Sequence, residues 1–527
     1  MQRYLLAALV VILTGLLIAA CGDTTSPVNP TPTITPVPAT TKAVQVSPTA
    51  PPLVIAPVTT PTGSQQPAKT TVQPVATTIN TSSPRTIFYY KDEALWYSGA
   101  TPKKLTDNVF SYVLTSDGKA VFLQKVNKTL QLKMAQIKDN HPLITTLDDR
   151  AFAERAMPNT GSNPDNNYGV ESRAISGLGI SPDQTQVAYA RANQSGVTFE
   201  GLLGKVYPTE IWVANLDPAN PAPRKLVAND KDYAARPVWS SDGNRIAFIR
   251  TTFFGTGAGY ETAFWSVYKD GTRLSFLTGP ELGTVNGTKY TALPAYNIRW
   301  ISPLELSFQA ANQTAKTSLW VHDITSNSDF PRSVALDLSW ERAYYCEQVR
   351  RFVYINDINF KPLGIFTANA DKTETPVALD PTATALLGCY GDNVLYKDAN
   401  NQLYLQSIKA NGSSTTPKRR IGNPVSDNAV AVFSPDGNYI AIFSNTSTPA
   451  MTIFRANGSQ VNIKGTAPRF KSFSSIGWSD NQMAVLIGGS DSAQGIGVDL
   501  ASNEPEFRII DDNIQEALLL VSEPNTR

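Results

Sequence analysis

The stretch Ser434-Pro435-Asp436-Gly437-Asn438-Tyr439-Ile440-Ala441-Ile442-Phe443-Ser444 decides how this chain is read. Pro435 presets the first corner of a turn, Asp436 can bond its own backbone, and Gly437 tolerates a positive φ. Tyr439 to Phe443 then form a short β-prone apolar run, the pattern of a strand buried on both faces. Alone this is one hairpin, but weaker copies recur along the chain. Asp480 lies 44 positions later, Asp392 lies 44 earlier, and Gln348 another 44 before that. Ser116-Asp117-Gly118, Ser181-Pro182-Asp183 and Ser241-Asp242-Gly243 repeat the turn upstream, and Ser302-Pro303 holds its place in a degenerate copy.

A second marker follows within each unit, an apolar–aromatic pair that opens another strand. It reads Leu95-Trp96, Ile211-Trp212, Phe264-Trp265, Leu319-Trp320, Ile365-Phe366, Leu403-Tyr404 and Ile453-Phe454. A fourth short strand closes most units. Four antiparallel strands in about forty to sixty residues is the blade period of a β-propeller. The aromatics are expected to fill the layers between blades. The units count eight or nine blades, or seven if two of them are not blades. A ninth unit, 86–105, has only three strands, and the expected source of its inner strand is Ala517 to Ser522, which would close the ring.

The S-P-D-G repeat resembles that of TolB-like, WD-like propellers and is similar to the propeller repeats of prolyl-oligopeptidase and dipeptidyl-peptidase proteins, over roughly residues 85–522. The resemblance implies the fold and carries no functional residue across. Where TolB has an α/β domain before its propeller, this chain has a Pro/Thr-rich tract. The peptidases need an α/β-hydrolase domain, for which no chain remains, and no G-x-S-x-G nucleophile elbow is present.

Composition agrees with an all-β chain. Of 527 residues, 42% are hydrophobic and only 17% charged, with 37 Pro and 33 Gly. A net charge of +1 offers no footprint for nucleic acid. At the amino terminus Arg3 precedes an apolar run, Leu5 to Ala20, and then Ile18-Ala19-Ala20-Cys21. This is the pattern of a secretory signal over 1–20. Its cysteine resembles the lipobox of bacterial lipoproteins, which implies acyl chains on Cys21 and an extracytoplasmic, membrane-anchored protein; in a two-membrane cell either membrane could hold the anchor. Residues 21–84 are rich in Thr, Pro, Val, Ala and Ser and cannot bury enough apolar surface to offset ordering. They read as a disordered, semi-extended linker reaching roughly 200 Å at most. The propeller domain is expected over 85–527.

Four long connections depart from the repeat: Asp148 to Ile175, Asn193 to Thr209, Thr252 to Thr262 and Gly279 to Tyr296. All are expected on one face, opposite the short S-D-G turns, as loops without secondary structure. Arg150, Arg155, Tyr168, Arg173, Phe199, Lys205, Tyr207, Phe253, Phe254, Tyr260 and Tyr290 give that face a mixture of aromatics and basic residues suited to recognition. The short-turn face is expected to be plain.

Catalytic signals are weak. The two histidines, His141 and His322, have no Ser, Cys or second His at motif spacing, so neither a His-ligated zinc nor a Ser-His-Asp triad is expected, and no cofactor. The repeated Asp117, Asp183, Asp242, Asp436 and Asp480 have turn duties. Cys346 and Cys389 fall at matching points of adjacent units and are expected to form a disulfide between two blades, in a compartment where disulfides persist. The leading expectation is a cell-surface, non-catalytic binding or scaffold module for protein or cell-envelope glycan. The alternative is an extracytoplasmic glycoside hydrolase or lyase dependent on two carboxylates.

Overall fold

A computed structural model describes residues 86–98, 101–127, 129–138, 141–153, 177–193, 199–201, 204–206, 208–253, 260–279, 281–285, 288–292, 298–312, 317–331, 343–358, 361–371, 374–444, 451–465, 472–489, 493–517 and 519–520. The chain divides into two units, Met1–Ala76 and Thr77–Arg527, and every described residue belongs to the second. The signal, Cys21 and the linker therefore lie outside the described residues.

The fold grows from the turn that the sequence repeats. The Ser434 hydroxyl donates to Asp436 Oδ1 at 2.6 Å and accepts from the Tyr439 amide at 2.9 Å. The Gly437 amide closes the turn on the Ser434 carbonyl at 2.8 Å. The same hydroxyl–carboxylate contact joins Thr115 to Asp117, Ser181 to Asp183 and Ser240 to Asp242. Asp480, two residues after a Trp, instead accepts from the Gln482 and Met483 amides. Each turn fixes the register of the hairpin that follows. In Tyr439–Phe443, Ile440 and Ile442 pack toward the preceding sheet, and Ala441 and Phe443 toward the next.

Nine of the antiparallel sheets are blades, eight of them beginning with their innermost strand and blade 1 receiving its own from Glu516–Ala517, and the domain is a nine-bladed β-propeller. The only helix among the described residues is a single 3-10 turn, Glu347–Val349. Blade 1 holds Phe88–Lys91, Ala94–Tyr97 and Lys103–Asp107; blade 2 runs from Val109–Leu114 to His141–Ala153. Blade 3 runs from Gly179–Ile180 to Arg224–Val227, blade 4 from Tyr233–Trp239 to Ser275–Thr278, and blade 5 from Arg299–Ser302 to Ser328–Pro331. Blade 6 runs from Ala343–Cys346 to Val377–Asp380, and blade 7 from Ala383–Tyr390 to Arg419–Ile421. Blade 8 begins at Val430–Phe433, its fourth strand reduced to isolated pairing near Gln460 and Val461; blade 9 runs from Ser472–Trp478 to Phe507–Asp512.

Nine hydrophobic clusters, one between each pair of neighbouring blades, bury the sheet faces. The apolar–aromatic pair has a defined place in this packing. At Leu95/Trp96, Ile211/Trp212, Phe264/Trp265 and Ile365/Phe366 a β-bulge shifts the register between third and fourth strands. Inner-strand aromatics tie blade to blade: the indoles of Trp239, Trp300 and Trp478 donate to the carbonyls of Gly179, Val238 and Val432 of the preceding blade.

The ring closes as expected in kind but not in register. Glu516–Ala517, rather than a strand over 517–522, is the inner strand of blade 1, pairing Ala517 with Tyr89 and Glu516 with Tyr90. Leu520 bridges Trp478 in blade 9 instead.

Candidate binding face and the junctions between blades

In a blade of antiparallel strands the first and third turns share one end; the second turn and the passage to the next blade share the other. The four long connections therefore emerge on one face over blades 2 to 5. In their described residues each continues strand pairing instead of running as a bare loop.

The last strand of blade 2, His141–Ala153, runs 13 residues and pairs out to Ala153 opposite Thr129. It carries Arg150, whose amide bonds Asp148 Oδ1 at 2.9 Å and whose exposed side chain lies 3.8 Å from the Asp149 carboxylate. In blade 3 the hairpin Phe199–Gly201 and Gly204–Val206 sets Phe199 opposite Val206 and Lys205 opposite Glu200. In blade 4 the central strands extend until Phe253 faces Tyr260. The hairpin Glu281–Val285 and Thr288–Ala292 joins the sheet of blade 5, with Tyr290 opposite Asn312. The half-buried Tyr290 ring lies 5.4 Å from that of Trp320 and packs on the core between blades 4 and 5. Arg155, Tyr168, Arg173, Tyr207 and Phe254 lie outside the described residues.

Charge on the same side of the ring is gathered into junctions between blades. At the blade 2–3 junction Tyr189 Oη donates to Asp148 Oδ2 at 2.5 Å, Arg191 reaches the same oxygen at 3.3 Å, and its guanidinium lies 4.1 Å from the Trp212 ring centre. Where blade 9 meets blade 1, Tyr89 and Lys91 both bond Asp511 at 2.9 Å, with Lys91 over Trp96. Between blades 6 and 7, Tyr396 and Lys418 bond Asp380 at 2.9 Å, with Lys418 over Tyr404. Between blades 3 and 4 Arg250 pairs with Asp232 and covers Trp265, and Phe248 stands where the others have Tyr. Burial opposes ionisation of Asp380 and Asp511, yet bonds from Lys418 and Lys91, with the neighbouring hydroxyls, hold both carboxyls below their ordinary range. Burial, reinforced by the facing Asp, pushes the Tyr89, Tyr189 and Tyr396 phenols up. These acids are fully engaged in joining blades. Sequence spacing gives no sign of them, because the Tyr–Asp separations are 41, 422 and 16 residues.

Cys346 and Cys389 form a disulfide between the inner strands of blades 6 and 7, with Cα atoms 5.6 Å apart and both residues buried. His322 is buried on the third strand of blade 5, its Nδ1 3.1 Å from Asp329 Oδ1, while His141 starts a strand at the surface. Among the described residues no three His, Cys, Asp or Glu side chains come together as a metal site.

No family model matches the sequence, and no curated protein does. Among solved structures the chain is similar to a eukaryotic initiation factor (12% identity, 82% of this chain and 98% of that one, TM-score 0.46). It is similar also to Porphyromonas gingivalis dipeptidyl peptidase 4 (13%, 76% and 62%, TM-score 0.45). A third is TolB from Acinetobacter baumannii (13%, 64% and 77%, TM-score 0.26). At these identities and scores no activity or site residue passes from them to this chain.

Proposed function

We propose that this protein is an exported propeller, anchored through lipid on Cys21 and held away from the membrane by residues 21–84, that binds a protein or a cell-envelope glycan without transforming it. The proposed contact surface is the face of blades 2 to 5 that carries Arg150, Phe199, Lys205, Phe253, Tyr260 and Tyr290. One observation supports binding over catalysis. A carboxylate-dependent glycosidase needs two acids about 5 to 9.5 Å apart in a cleft. The nine inner strands, which line the centre of the ring, contribute one carboxylate, Glu516, against Arg236 and Arg299. Four further acids on that side, Asp148, Asp232, Asp380 and Asp511, are bonded within the junctions.

The test is capture from native envelope by the full chain and by the double substitution Phe253→Ser, Phe254→Ser. Loss of the captured ligand with an unchanged melting temperature is expected. Equal capture by the substituted protein removes this face from the function. Release of reducing sugar ends from purified envelope polymer would favour the hydrolase instead.

A further inference from the structure

The short-turn face is not plain. Between blades 4 and 5 it holds a cavity of about 290 Å³. Its walls are three turns: the first of blade 4 (240–245), the third of blade 4 (268–273), and Pro303-Leu304 of blade 5. Pairing sets Arg245, first in its strand, opposite Tyr268, last in the next. The Arg245 guanidinium lies 4.8 Å from the Tyr268 ring centre, donates to Tyr268 Oη at 2.6 Å and reaches the Pro303 carbonyl at 3.4 Å. Arg273 is 5.1 Å from the same ring and donates to the same oxygen at 3.3 Å. Lys269 completes a basic rim, and Leu304, 44% exposed, gives an apolar wall.

The lining sets two carboxylates, Asp242 and Asp270, beside the cations Arg245 and Lys269, but joins them in no direct ion pair. Asp242 is bonded to Ser240 and Asn244, and Asp270 to Thr272, each within its own turn. Among the described residues no carboxylate forms an ion pair with Arg245, Lys269 or Arg273. Two guanidinium groups instead share one phenol oxygen, a weaker partner than a carboxylate. Those donors hold the Tyr268 phenol below its ordinary value, Arg245 foremost.

We propose that this cavity binds a carboxylate on a short apolar stem, the carboxylate on Arg245 and Lys269 and the stem against Pro303 and Leu304. Its volume is at the lower end of small-molecule sites, about 300 Å³ upward, so the ligand is one acidic side chain or a small dicarboxylic acid. Both sources share this chemistry, and the site is independent of the long-connection face.

The full chain would be titrated with glutarate, glutaramide and acetyl-Gly-Glu-Gly-amide while the Leu304 methyl and Arg245 Nε–H resonances are followed. Glutarate or the peptide is expected to shift both signals saturably, the tighter of the two identifying the source. Glutaramide is expected to shift neither. Arg245→Gln should weaken binding by about tenfold or more, the value of one charge-assisted bond. Leu304→Asp, at an exposed turn position, should weaken it similarly without touching the core. Equal shifts with glutaramide, no shift with either carboxylate in the millimolar range, or full affinity in Leu304→Asp would each overturn the proposal.

Discussion

Reduction of the Cys346–Cys389 disulfide should lower the melting temperature of the propeller by about 4 °C. The bond joins residues 43 apart and so encloses the second to fourth strands of blade 6 and nearly all of the inner strand of blade 7. In the chain-entropy picture, releasing a loop of that length frees the unfolded ensemble by about 4 kcal/mol. Unfolding entropy near 2.1 cal/mol/K per residue spreads this over a domain of more than four hundred residues, which gives the figure of about 4 °C. The native state should change little, because both cysteines lie within the cluster of Val353, Ile365, Ala383, Val394 and Ile408 that already holds blades 6 and 7 together. The assay is calorimetry of the protein oxidised, and reduced and alkylated after unfolding and refolding, with Cys346→Ala, Cys389→Ala as the bond-free reference. The double alanine should fall further than simple reduction, since it also removes two buried sulfur atoms. A shift under 1 °C on reduction, or thiols that react in the untreated native protein, would refute the reasoning.

Two further outcomes follow from the turns and junctions. Gly437 has φ +71° and a Cβ there would lie 2.1 Å from the Tyr390 ring, whose hydroxyl donates to the Pro435 carbonyl at 2.9 Å. Gly437→Ala should therefore cost about 2–3 kcal/mol by denaturant titration, one part backbone strain and one part a lost bond. Gly118→Ala, at φ +82° with open space around it, should show only the backbone part, about 1–2 kcal/mol; equal losses would sink the packing argument. Acid should destabilise the ring along a defined limb. Asp117, Asp183, Asp242, Asp380 and Asp511 are held below their ordinary range, so the stability they give is complete above the unfolded value near 3.9 and is lost as pH falls through their folded values. Melting temperature is expected to be level from neutrality to about pH 5 and to drop below about pH 4, with a shallower acid limb in Asp380→Asn. An unchanged limb in that variant would remove the junction from the explanation.

The architecture was legible because its unit is local. A hydroxyl, an Asp and a Gly within four positions specify a turn, and the apolar run after it specifies a strand buried on both sides. The apolar–aromatic pair was legible as a marker, although its physical meaning, a bulge between third and fourth strands, requires the partner strand to be seen. Less could be read where segments lie outside the repeat. The segments around Phe199 and Tyr290 have no counterpart in other blades, so their pairing into hairpins left no pattern to align. The closing strand begins one position before the expected Ala517; beyond it Leu519 packs on the cluster between blades 9 and 1, and Leu520 pairs with Trp478 of blade 9 while its side chain packs on the cluster between blades 1 and 2. The Tyr–Asp junctions and the Arg245–Tyr268 cavity are assembled from residues whose closeness depends on the ring itself.

The chain enters and leaves the ring at the same junction. Ile87, Tyr89, Met483, Val485, Ile510 and Ile514 form one cluster, and only the two-residue strand Glu516–Ala517 covers the inner edge of Phe88–Lys91. A pull applied at residue 86 therefore loads a pairing only two residues long, matched in brevity by Gly179–Ile180 of blade 3, before any other blade bears tension. Blade 1 acts as a mechanical fuse. With Glu516–Ala517 released, the inner edge of Phe88–Lys91 would be bare, while blades 6 and 7 would still be held by their cluster and by the disulfide.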